Sequence, residues 1–173
     1  MAPAGSYHRF MPHGLLPAPA TDGFVGSTDP EAVVEGFLAA MATGDLDTAR
    51  ALIDDDILYV NVGLPPVRGR SQMERVFGFL DRPGVGFEVY LHAVSSDGPV
   101  VLTERTDVLR MGPVESQFWV WGRFEVHDGK ITLWRDSFDY VDIVRGTVRG
   151  LVAAVVPSLR PVRPAKPDTP PGR

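Results

Sequence analysis

The hydrophobic period of this chain changes near residue 84, and that change limits the folds open to it. Before that point apolar residues recur at the 3.6-residue spacing of helices; after it they alternate with a period of two. Thr28-Asp29-Pro30-Glu31 has the form of a capping box with Pro in the first turn, and Val33, Val34, Phe37, Leu38 and Met41 continue it as a helix that Thr43-Gly44 ends. Leu46, Ala49, Leu52 and Ile53 predict a short second helix, broken by Asp54-Asp55-Asp56. Residues 57–62 read as a strand, closed by Gly63 and Pro65-Pro66. Ser71-Gln72-Met73-Glu74 is a second capping box, opening a helix with Val76, Phe77 and Leu80 on one face that ends near Asp81-Arg82-Pro83. Strands follow at about 85–95, 100–111, 115–127 and 130–138, separated by Asp97-Gly98-Pro99, Gly112-Pro113 and the hairpin signal Asp128-Gly129. Residues 140–155 read as a last helix. Helices, one strand, a helix and then a four-strand meander make an α+β pattern, not alternating βαβ units. The expected architecture is a strongly curved, mixed but mostly antiparallel sheet, with helices closing its concave face into a cone.

The chain has 173 residues, enough for one domain with a sizeable core. That domain is expected over 28–155. Residues 1–27 are rich in Pro, Ala and Gly without periodicity, and 156–173 are Pro-rich and basic; both read as disordered tails. With 17 basic and 22 acidic residues the net charge is −5, which gives no reason to expect nucleic acid as a partner. There is no cysteine, so disulfides, thiolate nucleophiles and Cys-based metal sites are excluded. The first twenty residues lack the apolar core of a signal peptide, and the longest apolar run, Leu151 to Val156, is too short to span a bilayer. A cytoplasmic protein without a membrane span is the expectation.

Polar residues interrupt the strands in a pattern of its own. Tyr59 and Asn61 stand two apart on the first strand, Arg105 and Asp107 two apart on the third, and Asp136 lies on the last. Residues at i and i+2 share a face of a sheet, so each pair points one way. Val101, Thr103, Arg105, Asp107 and Leu109 share one side of their strand; Trp134, Asp136 and Phe138 share one side of theirs. Charges interleaved with apolar residues suggest carboxylates facing a partly dry cavity. Burying them is costly unless they are paired, and one guanidinium can bridge two carboxylates. The acid that is less well paired, or more desolvated, keeps its proton, and one protonated plus one ionised carboxyl make an acid and a base. Taken singly, an Arg and an Asp two apart on a strand are a common surface pair; the joint occurrence carries the reading.

Leu58-Tyr59-Val60-Asn61 with Leu64-Pro65-Pro66, then Thr103 to Arg110 (TERTDVLR), then Gly129 to Asp139 (GKITLWRDSFD), resemble the limonene-1,2-epoxide hydrolases over about residues 29–145. The resemblance implies the curved α+β fold of the nuclear-transport-factor-2-like, or cystatin-like, type. It also implies a homodimer and one-step hydrolysis of a lipophilic epoxide, terpene-like or larger, to a vicinal diol without cofactor, metal or covalent intermediate. Position by position, it makes Asp136 the general base that takes a proton from water, and Tyr59 and Asn61 the groups that hold that water. Asp107 becomes the general acid on the epoxide oxygen, and Arg105 the bridge orienting both acids. Ser137, where some relatives carry Tyr, is a departure on the opposite face from Asp136. The apolar wall of the substrate cavity is expected to draw on Leu109, Phe118, Trp119, Trp134 and Phe138.

Other chemistries fit less well. Within the folded part only His92 and His127 occur, neither at metal-ligand spacing, and Gly84-Val85-Gly86 lacks the strand-to-helix context of a phosphate loop. A ketosteroid isomerase or polyketide cyclase on the same scaffold would use Asp136 or Asp107 as a base on a carbon acid. It would want a pair of oxyanion donors, not an arginine between two carboxylates. A non-catalytic binder of small lipophiles has no use for those three charges inside an apolar cavity.

Overall fold

The computed structural model describes residues 14–15, 25–160, 162 and 164. Its elements, in chain order, are β1 (Gly14–Leu15), α1 (Pro30–Thr43), α2 (Leu46–Ala51), β2 (Ile53–Asn61), β3 (Val67–Arg68), α3 (Arg70–Leu80), β4 (Val85–Asp97), β5 (Val100–Met111), β6 (Val114–His127), β7 (Lys130–Ser137) and α4 (Tyr140–Val155), with a 3-10 turn at Pro157–Leu159. The strands form one curved seven-stranded sheet in the order β1-β4-β5-β6-β7-β2-β3. β4 to β7 are the expected antiparallel meander, and β2 joins β7 in parallel.

The inner face of the sheet carries the core. Phe37 of α1 meets Trp134 and Phe124 edge-on, at 5.1 and 6.5 Å between ring centres. Val33, Val34, Leu38 and Met41 of the same helix join Val89, Leu91, Val94, Val101 and Ile131 beneath it. The sheet bends where its register slips. In β4 the pairing with β5 shifts between Leu91 and Ala93. His92 is the extra residue, and because it changes the alternation, Leu91 and Val94 both face inward. That bulge lies against Arg105 and Glu104, the β5 partners on either side of it.

Several local expectations are corrected. The cap of α1 is Asp29, not Thr28: its carboxylate accepts from the Glu31 amide, and Pro30 takes the first helical position. Glu31 does not close a capping box; its carboxylate accepts from Ser96 on β4. The second capping box is absent as well. α3 starts at Arg70, with Gly69 rather than Ser71 at its cap and making no side-chain bond, and Gln72 accepts from the Arg68 amide. Arg70 instead anchors the helix, donating to the carbonyls of Arg50 and Ile53 at 2.8 Å each and pairing with Asp55. Asp54-Asp55-Asp56 does not break the chain into a loop, since β2 runs through it from Ile53, with the register against β7 shifting between Ile53 and Leu58. Gly14–Leu15, expected within a disordered tail, pair with Tyr90 and Leu91 at the sheet edge. The rest of that tail before Val25, and most of the chain after Arg160, lie outside the described residues.

α4 follows β7 directly and covers the open edge of β6. β7 pairs with β6 only from Trp121 onward, so residues 114–120 of β6 have no strand on that side among the described residues. α4 turns Gly146, Gly150 and Ala153 toward this edge. Ser116 and Thr147 hydroxyls meet at 3.1 Å, and the Trp119 amide donates to Asp142. The helix thereby caps a sheet edge that would otherwise be a template for pairing.

Candidate active site

Four strands deliver the site, and their register explains its shape. Thr103 on β5 lies opposite Gly122 on β6, Gly122 opposite Asp136 on β7, and Asp136 beside Asn61 on β2. Arg105 and Asp107 continue β5 on the same face, opposite Val120 and Phe118. Two strand spacings, roughly 10 Å, separate the β5 backbone from that of β7. Arg105 spans that gap. Nε donates to Asp107 Oδ1 at 2.9 Å, Nη1 to Thr103 Oγ1 at 3.2 Å and Nη2 to Asp136 Oδ2 at 2.6 Å. The three residues are buried: Arg105 is 0%, Asp107 3% and Asp136 4% exposed. The bridge expected from sequence is thus formed, and the five polar residues Tyr59, Asn61, Arg105, Asp107 and Asp136 converge.

Gly122 makes the span possible, and sequence reading missed it. A Cβ placed there would stand 2.4 Å from Arg105 Nη1 and 2.4 Å from Thr103 Oγ1. Any side chain on β6 at this row would occupy the path of the guanidinium. The signal was a Gly inside a predicted strand, which marks a bulge or a close approach.

The electrostatics act on Asp107 directly. Burial pushes the Asp107 carboxyl up to about 6, the charge of Asp136 adds to the rise, and Arg105 only partly opposes it. Burial also works against the Arg105 cation, but the two carboxylates outweigh it and hold the guanidinium firmly protonated. The Tyr59 phenol is driven upward by burial and then by Asp136, so it stays a neutral hydroxyl. Asn61 Nδ2 donates to Tyr59 Oη at 2.8 Å, leaving the phenol proton and the Asn61 carbonyl oxygen to serve another group. Asp136 Oδ1 is buried and has no hydrogen-bond partner among the described residues. A buried carboxylate oxygen of that kind has room for a hydrogen-bond donor such as a water molecule.

A cavity of about 290 Å³ opens over Tyr59, Asn61 and Asp107, with Arg105 and Asp136 behind its lining. Leu109, Phe118, Trp134 and Phe138 line it with Tyr59, Asn61 and Asp107, and Val76, Phe79 and Leu80 of α3 close one side. Trp119 does not belong to this wall. Alternation along β6 sends Phe118 and Val120 inward and Trp119 outward, where it stacks on His92 at 4.6 Å. His92 itself is buried on that outer side, 2.8 Å from the Thr106 hydroxyl. Ser137 also faces outward, in a groove with Leu102 and Trp121.

A family model for the limonene-1,2-epoxide hydrolase catalytic domain matches residues 28–149. The chain belongs to the limonene-1,2-epoxide hydrolase family. Over 127 residues it is 51% identical to epoxide hydrolase EphG of Mycobacterium tuberculosis, covering 73% of this chain and 85% of that one. The solved structure of a limonene-epoxide-hydrolase-like epoxide hydrolase from the same organism superposes with a TM-score of 0.74 at 48% identity, over 79% of this chain and 96% of the other. A protein from Catenulispora acidiphila with a ketosteroid isomerase-like fold is 15% identical, with a TM-score of 0.60 over 67% and 92% of the two chains; that likeness concerns the fold alone.

Proposed function

We propose that this member of the family hydrolyses a lipophilic epoxide to a vicinal diol in one step. The observation that carries the reading is Arg105, fully buried between Asp107 and Asp136, with Asp136 Oδ1 without a hydrogen-bond partner among the described residues, beside Tyr59 and Asn61. A water molecule at that oxygen would donate to Asp136 Oδ1 and to the Asn61 carbonyl and accept from the Tyr59 hydroxyl. One lone pair is then left to attack an epoxide carbon. Asp136 takes the water proton as the C–O bond forms. Asp107, raised toward neutrality, gives its proton to the epoxide oxygen as the ring opens, so no free alkoxide is released. General acid and base contribute about 10²–10⁴ each, and holding water and epoxide together adds an entropic gain. The apolar wall supplies affinity at about 25 cal/mol per Å² buried. An isomerase or cyclase reading is not favoured, because Arg105 occupies the place between the carboxylates where an oxyanion would need donors on the substrate side.

The test is diol formation from limonene-1,2-epoxide, a small cyclic epoxide and a sterol epoxide, with chelator present. Diol should form, and Asp136→Asn should lose it by at least about 10² in rate while keeping the fold. A folded wild type that gives no diol from any of the three, or an Asp136→Asn variant that keeps full rate, would remove the reading.

The outer face of the sheet, where Trp121 is 58% and Leu102 53% exposed, is the surface we propose for a homodimer. A monomer mass in light scattering at micromolar concentration would contradict it. No described helix is long and apolar enough to cross a membrane. A cytoplasmic setting is the reading we attach to the lack of cysteine, and cell fractionation checks it.

A further inference from the structure

α4 is apolar on both of its broad faces. Its inner face, Gly146, Gly150 and Ala153, is packed on β6. On the other side Val141, Val144, Val148, Leu151, Val152 and Val155 are each 45% exposed or more. At 3.6 residues per turn these six fall within a single arc of roughly 100°. A continuous apolar stripe of this length on an outward helix face marks a docking surface. Arg145 and Arg149 run along its flank, both exposed, and exposed Arg160 lies just beyond the helix. From Tyr140 to Arg173 the sequence holds six basic residues against two acidic ones, although the whole chain has 17 against 22. Along the sequence, positive charge is therefore concentrated from α4 onward, and the remainder of the chain is acidic.

We propose that this face of α4 rests on an anionic lipid surface, with the valine stripe in the acyl boundary and Arg145 and Arg149 at the level of the phosphates. Helices that lie in a membrane interface combine an apolar face with flanking cations in this way, and basic segments beside a bilayer are drawn to anionic headgroups. The acidic remainder of the chain is repelled by the same surface, which fixes the orientation. A second copy is the poorer occupant. A two-fold contact centred on the stripe with the helices antiparallel would face it with itself and bring like-charged arginine rows together. Docking by α4 has a consequence for substrate supply. Ile143, between Val141 and Val144, lines the catalytic cavity, so the helix on the bilayer is also a cavity wall. A lipophilic epoxide dissolved in the bilayer would have a short path into the site.

The full chain should float with phosphatidylglycerol-rich vesicles and bind phosphatidylcholine vesicles, or the anionic ones at high salt, about tenfold more weakly. Val144→Asp with Val148→Asp should lower binding by about tenfold or more, with melting temperature and turnover of a water-soluble epoxide unchanged. Arg145→Gln with Arg149→Gln, a pair that leaves the stripe intact, should remove the preference for the anionic vesicles. Failure of the wild type to bind either vesicle would overturn the proposal, as would undiminished binding by both double variants. A drop in oligomer mass in the Val→Asp variant would assign the stripe to a second copy instead.

Discussion

A methyl group added at Gly122 would press on Arg105 Nη1 and Thr103 Oγ1 at 2.4 Å, inside any permitted contact. Backbone on β5 and β6 is fixed by pairing on both sides, so the guanidinium is what must give. Gly122→Ala should therefore keep the fold and lose about 10² in kcat, the cost of misplacing catalytic groups by about an ångström. Diol rates with circular dichroism alongside check this. Asp107 gives a second prediction. Its carboxyl stands at about 6 in the fold against an ordinary 3.8. The folded state thus holds the proton more tightly than the unfolded one. The stabilisation linked to that proton is complete below 3.8 and is lost as pH rises through about 6. Asp107→Asn removes this dependence, so its melting temperature relative to wild type should climb between pH 4 and pH 8, while turnover falls by about 10²–10⁴. Wild-type turnover should decline as pH rises through about 6, where Asp107 ceases to be an acid. Equal pH dependence of melting in the two proteins would contradict the assignment of the raised carboxyl. Tyr59, Asn61, Arg105, Asp107 and Asp136 were legible in sequence because they interrupt alternation with polar groups. Gly122 was not, because it acts by what it lacks, and only the register opposite Asp136 reveals that.

At the level of elements, the meander was legible almost to its ends because its turns carry Asp-Gly and Gly-Pro signals and its strands alternate. The helix starts were not. Thr28 and Ser71 fit a capping pattern, but Asp29 and Gly69 take the positions, since Pro30 fixes the first turn and Arg70 is tied to α2 and β2 by its own guanidinium. Nor could spacing tell that β2 would run parallel to β7, the pairing that sets Asn61 beside Asp136. Outward Trp119 shows a further limit: alternation fixes opposite faces for Phe118 and Trp119 but not which one faces the cavity. α4 depends on close approach. A Cβ at Gly150 would come to 2.1 Å from the Glu115 carbonyl oxygen. On a free helix Gly→Ala gains up to about 1 kcal/mol. Here it should instead cost about 1–3 kcal/mol by overpacking against fixed backbone. Urea unfolding of Gly150→Ala measures the sign; a more stable variant would mean that α4 is not held on the β6 edge.

For the whole molecule, a curved sheet sinks an arginine and two carboxylates beneath an apolar cavity, and α1, α3 and α4 surround it. Isolated charges would not survive such burial; together they are compensated, and on the proposed reading they divide into an acid and a base. That division predicts direct attack by water, with no ester formed on Asp136 or Asp107. The most direct measurement is a single turnover in H₂¹⁸O with enzyme in excess over limonene-1,2-epoxide, reading the isotope in product and protein. Direct attack predicts one ¹⁸O in the diol formed in that first turnover and an unlabelled protein. Unlabelled diol oxygen, with ¹⁸O appearing in the carboxylate of Asp136 or Asp107, would contradict it.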